Sequence, residues 1–61
     1  MGEMYDILVY DNGKWMKCDE VEIDSRLSKD LKFLILAEIQ LINKKEQNGK
    51  RITYRKWKDE E

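Results

Sequence analysis

The chain contains no histidine and no proline, a single cysteine (Cys18) and three glycines among its 61 residues. One thiol excludes an intramolecular disulfide. One thiol without histidine also falls short of the ligand set that a structural zinc site takes. There is no glycine-rich phosphate loop, and neither a serine nor the cysteine stands beside a base able to activate it. A chain this short also struggles to enclose a small-molecule pocket of roughly 300 Å³ or more. The expectation is a protein that is not an enzyme, with no catalytic residues, no cofactor and no metal.

The same shortages bear on stability. A domain of about 60 residues buries only about 60% of its unfolded surface and is marginal on its own. Small domains compensate with disulfides, a metal or association with another chain. With the first two excluded, association remains, and a homodimer or higher oligomer is expected. Long hydrophobic runs are absent as well. The most apolar stretch, Leu31 to Ile42, is interrupted by Lys32, Glu38 and Gln40 and is too short to span a bilayer. Met1-Gly2-Glu3-Met4 lacks the basic start and apolar stretch of a secretory signal. The lone thiol fits a reducing compartment. A cytoplasmic protein with no membrane partner is expected.

Charged residues form 41% of the chain, yet the net charge is −1. The apolar residues are clustered and periodic, which points to a folded core. Met4 to Tyr10 reads as a strand, and Asn12-Gly13 after it is the sequence signal of a two-residue hairpin turn. That turn sets Asp11 opposite Lys14, Tyr10 opposite Trp15, Val9 opposite Met16 and Ile7 opposite Cys18. Ile7, Val9, Met16 and Cys18 then form the core face, and Leu8, Tyr10, Trp15 and Lys17 the outer one. Alternation breaks before Val21 and Ile23, and a bulge at Asp19-Glu20 would restore it.

Asp24 or Ser25 is the expected N-cap of a long helix over residues 26–47, closed by Asn48-Gly49. Its main apolar arc runs from Ala37 through Leu41, Leu34, Leu27, Leu31, Ile42 and Ile35 to Ile39. Residues 51–57 alternate as a third strand, with Ile52 and Tyr54 inward and Thr53, Arg55 and Trp57 outward. The fold expected is a small α+β domain over residues 1–58, ordered β-β-α-β. It has an N-terminal hairpin and one long helix on a three-stranded sheet, and residues 59–61 form a polar tail.

Three features are candidates for function. Phe33, Leu36 and Gln40 fall outside the main arc, and a dimer contact is expected there. Glu38 lies within the arc and is the expected buried acid, meeting a basic group at the sheet margin. The outer sheet face gathers Tyr10, Trp15, Lys17, Arg55 and Trp57, and these are the expected partner-binding residues. Trp, Tyr and Arg are the residue types that dominate protein interfaces. The acidic run Asp19 to Asp24 is expected to pair with the basic strand near residues 50–56.

The leading expectation is a protein-binding module that occludes a larger partner. Nine lysines against three arginines, with no proline, suit a phage- or mobile-element-encoded inhibitor of a host defence protein. The alternative is a small single-stranded nucleic-acid-binding protein. It would use the same face and the segment 44–58, which carries seven basic residues against one acidic.

Overall fold

Asn12 and Gly13 both hold left-handed backbone angles, φ 52° and 80°. These are what a type I′ turn demands, and Asn and Gly meet the demand with least strain. The structure, a computed structural model, describes residues 2–58; the tail expected over 59–61 lies outside the described residues. β1 (Gly2–Asp11) and β2 (Lys14–Asp24) pair antiparallel across the turn, with Asp11, Tyr10 and Val9 opposite Lys14, Trp15 and Met16 as expected. α1 (Lys29–Glu46) follows, and then β3 (Ile52–Lys56). The architecture is α+β in the order β-β-α-β.

β3 pairs antiparallel with β1 of its own chain, so the sheet order is β2-β1-β3. The most apolar strand is the central one. Backbone bonds from Tyr10 N to Arg51 O (3.0 Å) and from Trp57 N to Met4 O (2.8 Å) carry its ladder past both ends of β3. Because β1 separates β2 from β3, the acidic run of β2 does not face the basic strand. Glu20 and Asp24 pair instead with Lys17 and Arg26, close in sequence.

The bulge falls earlier than expected. Ile7 pairs with Asp19 and Leu8 with Lys17, which leaves Cys18 as the extra residue. Asp19 thereby takes the inward position expected for Cys18, while Val21 and Ile23 keep their inward side. Met16, expected in the core, is exposed; it lies nearer the hairpin tip than the residues that meet the last turn of α1.

The helix also starts later than expected. Asp24 closes a separate turn: its carbonyl accepts from Leu27 N (3.2 Å) and its carboxylate from Arg26 N (2.9 Å) and the Arg26 guanidinium. That turn lifts the chain from the sheet to the helix layer. Ser28 is the N-cap, its Oγ accepting from Leu31 N at 3.2 Å. The end is as expected: Gly49 N donates to Lys44 O at 2.8 Å, and Asn48 and Gly49 take φ 59° and 83°.

The rotation of α1 about its axis is the largest departure. Leu36 (3% exposed) and Asn43 (2% exposed) face the sheet. Lys32 lies on the same stripe at helical spacing. Lys32 Nζ meets Glu3 Oε2 at 3.1 Å. At the other end, Asn43 Nδ2 donates to Asp19 Oδ2 (3.1 Å) and to Ile39 O (3.0 Å), while its Oδ1 accepts from Cys18 Sγ (3.5 Å).

Leu36 is therefore a core residue with Tyr5 and Ile23, unavailable to the dimer contact expected of it. Of its expected companions, Phe33 is exposed and Gln40 half-buried. Glu38, expected beneath the helix, lies exposed on the side away from the sheet. Turning the main arc inward would have buried its carboxylate against apolar groups, a costly arrangement without a partner. The observed stripe gives each polar group one.

Ile7, Val9 and Tyr5 of β1 complete the buried core. The Tyr5 ring meets Tyr54 edge-on at 5.8 Å, and its hydroxyl donates to Glu3 Oε1 at 2.8 Å. Burial, and then that bond, push the Tyr5 phenol up to about 12 from 10.0. Among the described residues no helix is long and apolar enough to cross a membrane.

Two outcomes follow from this packing. Leu36→Ala should cost about 2–5 kcal/mol in urea denaturation, a large share of the total for so small a domain. The raised Tyr5 value means its contribution is complete below pH 10.0 and is lost as the pH climbs toward about 12. Tyr5→Phe should remove that alkaline dependence, read by thermal unfolding at stepped pH.

Candidate functional site

With α1 on one side of the sheet, the even-numbered residues of β1 turn to the other. The pairings lay this face out in rows. Tyr10 sits beside Trp15; Leu8 lies between Lys17 and Thr53; Asp6 lies between Glu20 and Arg55. Trp57, whose backbone N donates to Met4 O, lies in the next row along, with Met4 and Glu22. The structure thus brings together all five expected contact residues, Tyr10, Trp15, Lys17, Arg55 and Trp57, on one uncovered face.

The centre of that face is Asp6. It points away from the helix yet is only 8% exposed, because three side chains lie over it. Trp57 donates from Nε1 to Asp6 Oδ1 at 2.7 Å, and Arg55 donates to Oδ2 at 3.3 Å. Lys17 Nζ stands 3.3 Å from Oδ1. Hydrogen bonds to an ionised acceptor are the stronger kind, and here they tie Lys17 of β2, Arg55 of β3 and Trp57 just beyond β3 to one carboxylate.

The Trp57 bond is the chief cause that holds the Asp6 carboxyl below its usual 3.8, with Arg55 and Lys17 adding and partial burial opposing. Lys17 also pairs with Glu20, whose hydrogen bond is the main reason its ammonium is held above the ordinary 10.5. The same ammonium lies 5.7 Å from the Trp57 ring centroid, within cation–π range. At the hairpin end, Tyr10 and Trp15 pack edge-on with centroids 5.1 Å apart. Such cross-strand aromatic pairs stiffen a hairpin as well as presenting apolar surface.

Asp6 escaped the sequence reading. A lone carboxylate in an otherwise apolar central strand needs partners, and that was the available signal. Naming the partners needed the strand order, which places Arg55 opposite Asp6.

The charges of this face are mixed: Lys17 and Arg55 lie among Asp6, Glu20 and Glu22. Of the basic segment 44–58, Arg55 lies on this face and Arg51 stands opposite Tyr10, but its lysines do not gather here. Lys44 and Lys45 lie in the last turn of α1, Lys50 pairs with Asp11 at 3.1 Å, and Lys56 stands 3.8 Å from Glu3 on the helix side.

A concavity of about 370 Å³ opens between α1 and the sheet, lined by Glu3, Tyr5, Lys32, Phe33, Tyr54 and Lys56 among others. Its carboxylate is already engaged by both of those lysines. The Cys18 thiol is half-buried and pushed up first by that burial and then by Asp19, the opposite of an activated nucleophile. Among the described residues no group of three or more His, Cys, Asp or Glu is placed to hold a metal ion. Comparison with family models, curated proteins and solved structures gives no match for this chain.

The Asp6 cluster makes an acid-side prediction. A carboxyl held below its ordinary value contributes stability that is complete above pH 3.8 and lost as the pH falls through the lowered value. Asp6→Asn should flatten the acid limb of the thermal stability profile. It should also loosen Trp57, read as a red-shifted and more readily quenched indole emission.

Proposed function

We propose that this protein is a non-catalytic binding module that acts by covering a surface on a larger protein, with the open sheet face as its contact. One observation carries the reading. Trp57 and Arg55 are held in place by the Asp6 carboxylate while Trp57, Trp15 and Tyr10 remain 39–46% exposed. Trp, Tyr and Arg are the residues on which protein interfaces concentrate their energy. Side chains already ordered in the free protein lose less freedom on binding. The mechanism is steric: the occupied surface is denied to whatever else would use it.

The charge pattern favours a protein over a nucleic acid. Single-stranded nucleic-acid binders combine stacking aromatics with a positively charged groove that tracks the phosphates. Here Lys17 and Arg55, at the centre of the face, are already engaged by carboxylates, and further acids flank them. The lysine-rich composition and the lack of proline suit an inhibitor encoded by a virus or mobile element and directed at a host protein, including a defence system.

Once the partner is captured from its host, Trp15→Ala and Trp57→Ala should each weaken binding by about 2 kcal/mol, roughly 30-fold. Titration calorimetry measures this, with circular dichroism confirming that the variants stay folded. Unchanged affinity in both would remove the sheet face as the contact. A single-stranded oligonucleotide should show no binding at about 50 mM salt, whereas tight binding lost steeply with added salt would replace the protein reading with the nucleic-acid one.

A further inference from the structure

We infer that the outer face of α1 seats a second copy of this chain, with the two helices antiparallel and the two-fold axis passing between Leu41 and Ile42. The first support is area. A compact monomer of 7.4 kDa exposes roughly 4,200 Å², whereas this chain exposes 4997 Å². The surplus is of the order that one partner gives up in a standard interface. Along its thinnest axis the Cα trace extends 13 Å, one sheet and one helix deep, with nothing over the helix.

The second support is where the apolar surface lies. Leu34 and Leu41 are 63% and 61% exposed, and Leu31 and Ile42 are about half exposed. Leu31, Leu34, Glu38, Leu41 and Lys45 follow one another in alternating steps of three and four residues. That is the seam by which one helix packs along another.

The third support is charge, and it selects the occupant and its direction. Glu38 and Lys45 both lie on the seam, and among the described residues neither has a side-chain partner. A parallel pair of helices would set each against its own copy, like charge on like. An antiparallel pair centred on Glu38 would oppose the two carboxylates. With the axis between Leu41 and Ile42, Glu38 meets the partner's Lys45, Leu41 meets the partner's Ile42, and Leu34 lies toward the end of the partner's helix. The patch is complementary to itself, as a two-fold interface requires. This contact is separate from the sheet face and does not depend on the function proposed for it.

Sedimentation equilibrium of the full chain across the micromolar range tests the inference. The wild type should be a dimer. Glu38→Lys alone and Lys45→Glu alone should each raise the dimer dissociation constant by about tenfold or more, and the doubly reversed chain E38K/K45E should recover wild-type association. If the single variants unfold rather than dissociate, the double variant should regain both the fold, by circular dichroism, and the dimer. Trp57→Ala should leave association unchanged. A wild type that stays folded and monomeric would overturn the inference and leave the helix face to another protein or to none. It would be overturned equally by a double variant no tighter than the singles, or by dissociation on Trp57→Ala, which would move the contact to the sheet.

Discussion

The hold of Asn43 on Asp19 decides which side of the helix the protein shows to its surroundings. It starts from the extra residue at Cys18, which turns Asp19 toward the helix layer. Asn43 then spends both ends of its amide on Asp19, Cys18 and the Ile39 carbonyl and is left with nothing unsatisfied. Lys32 on Glu3 pins the opposite end, and Leu36 is drawn into the core between them. Burying leucines on the wide apolar arc would have been worth about 1.5–3 kcal/mol each. That gain is outweighed because the same turn of the helix would sink the Glu38 carboxylate into apolar surroundings and strip Asn43 and Lys32 of their partners.

The two sides of the sheet divide the work along the same lines. The inner side is apolar and closed by α1. The outer side is organised by one carboxylate, and the result is an aromatic surface of mixed charge whose central side chains are tied in place. Asp6 explains why an uncovered face can carry two tryptophans and a tyrosine without being slack: the indole of Trp57 is tied down, and Trp15 leans on Tyr10. A surface of that kind suits the proposed contact through its shape. Its balanced charge gives little long-range attraction to any polyanion.

Much of this was legible in the amino-acid order. Asn12-Gly13 specified the hairpin and its near register, and alternation in the last strand separated Tyr54 from Arg55 and Trp57 correctly. These features are local, a turn and a period of two. What escaped was decided at long range. The bulge could sit at Cys18 or a residue later without disturbing Val21 and Ile23, and only the contact with Asn43 distinguishes the sites. The helix carries apolar residues around most of its circumference, so counting them ranked the wrong arc first. Leu36, Asn43 and Lys32 win through partners more than ten residues away. Asp6 was hidden for the same reason, since Arg55 and Trp57 lie across the sheet.

β1 carries both surfaces at once: its odd positions make the core and its even positions the outer face. An added or lost residue within it would exchange Ile7 for Asp6 in the interior and turn the whole strand inside out. Among the described residues the one irregularity in the pairing lies instead in β2, at the sheet margin, where displacement of Cys18 leaves the middle strand untouched. Natural variation in length should therefore gather at the hairpin tip and along the outer strands, and the ten residues of β1 should hold their count even where their identities drift.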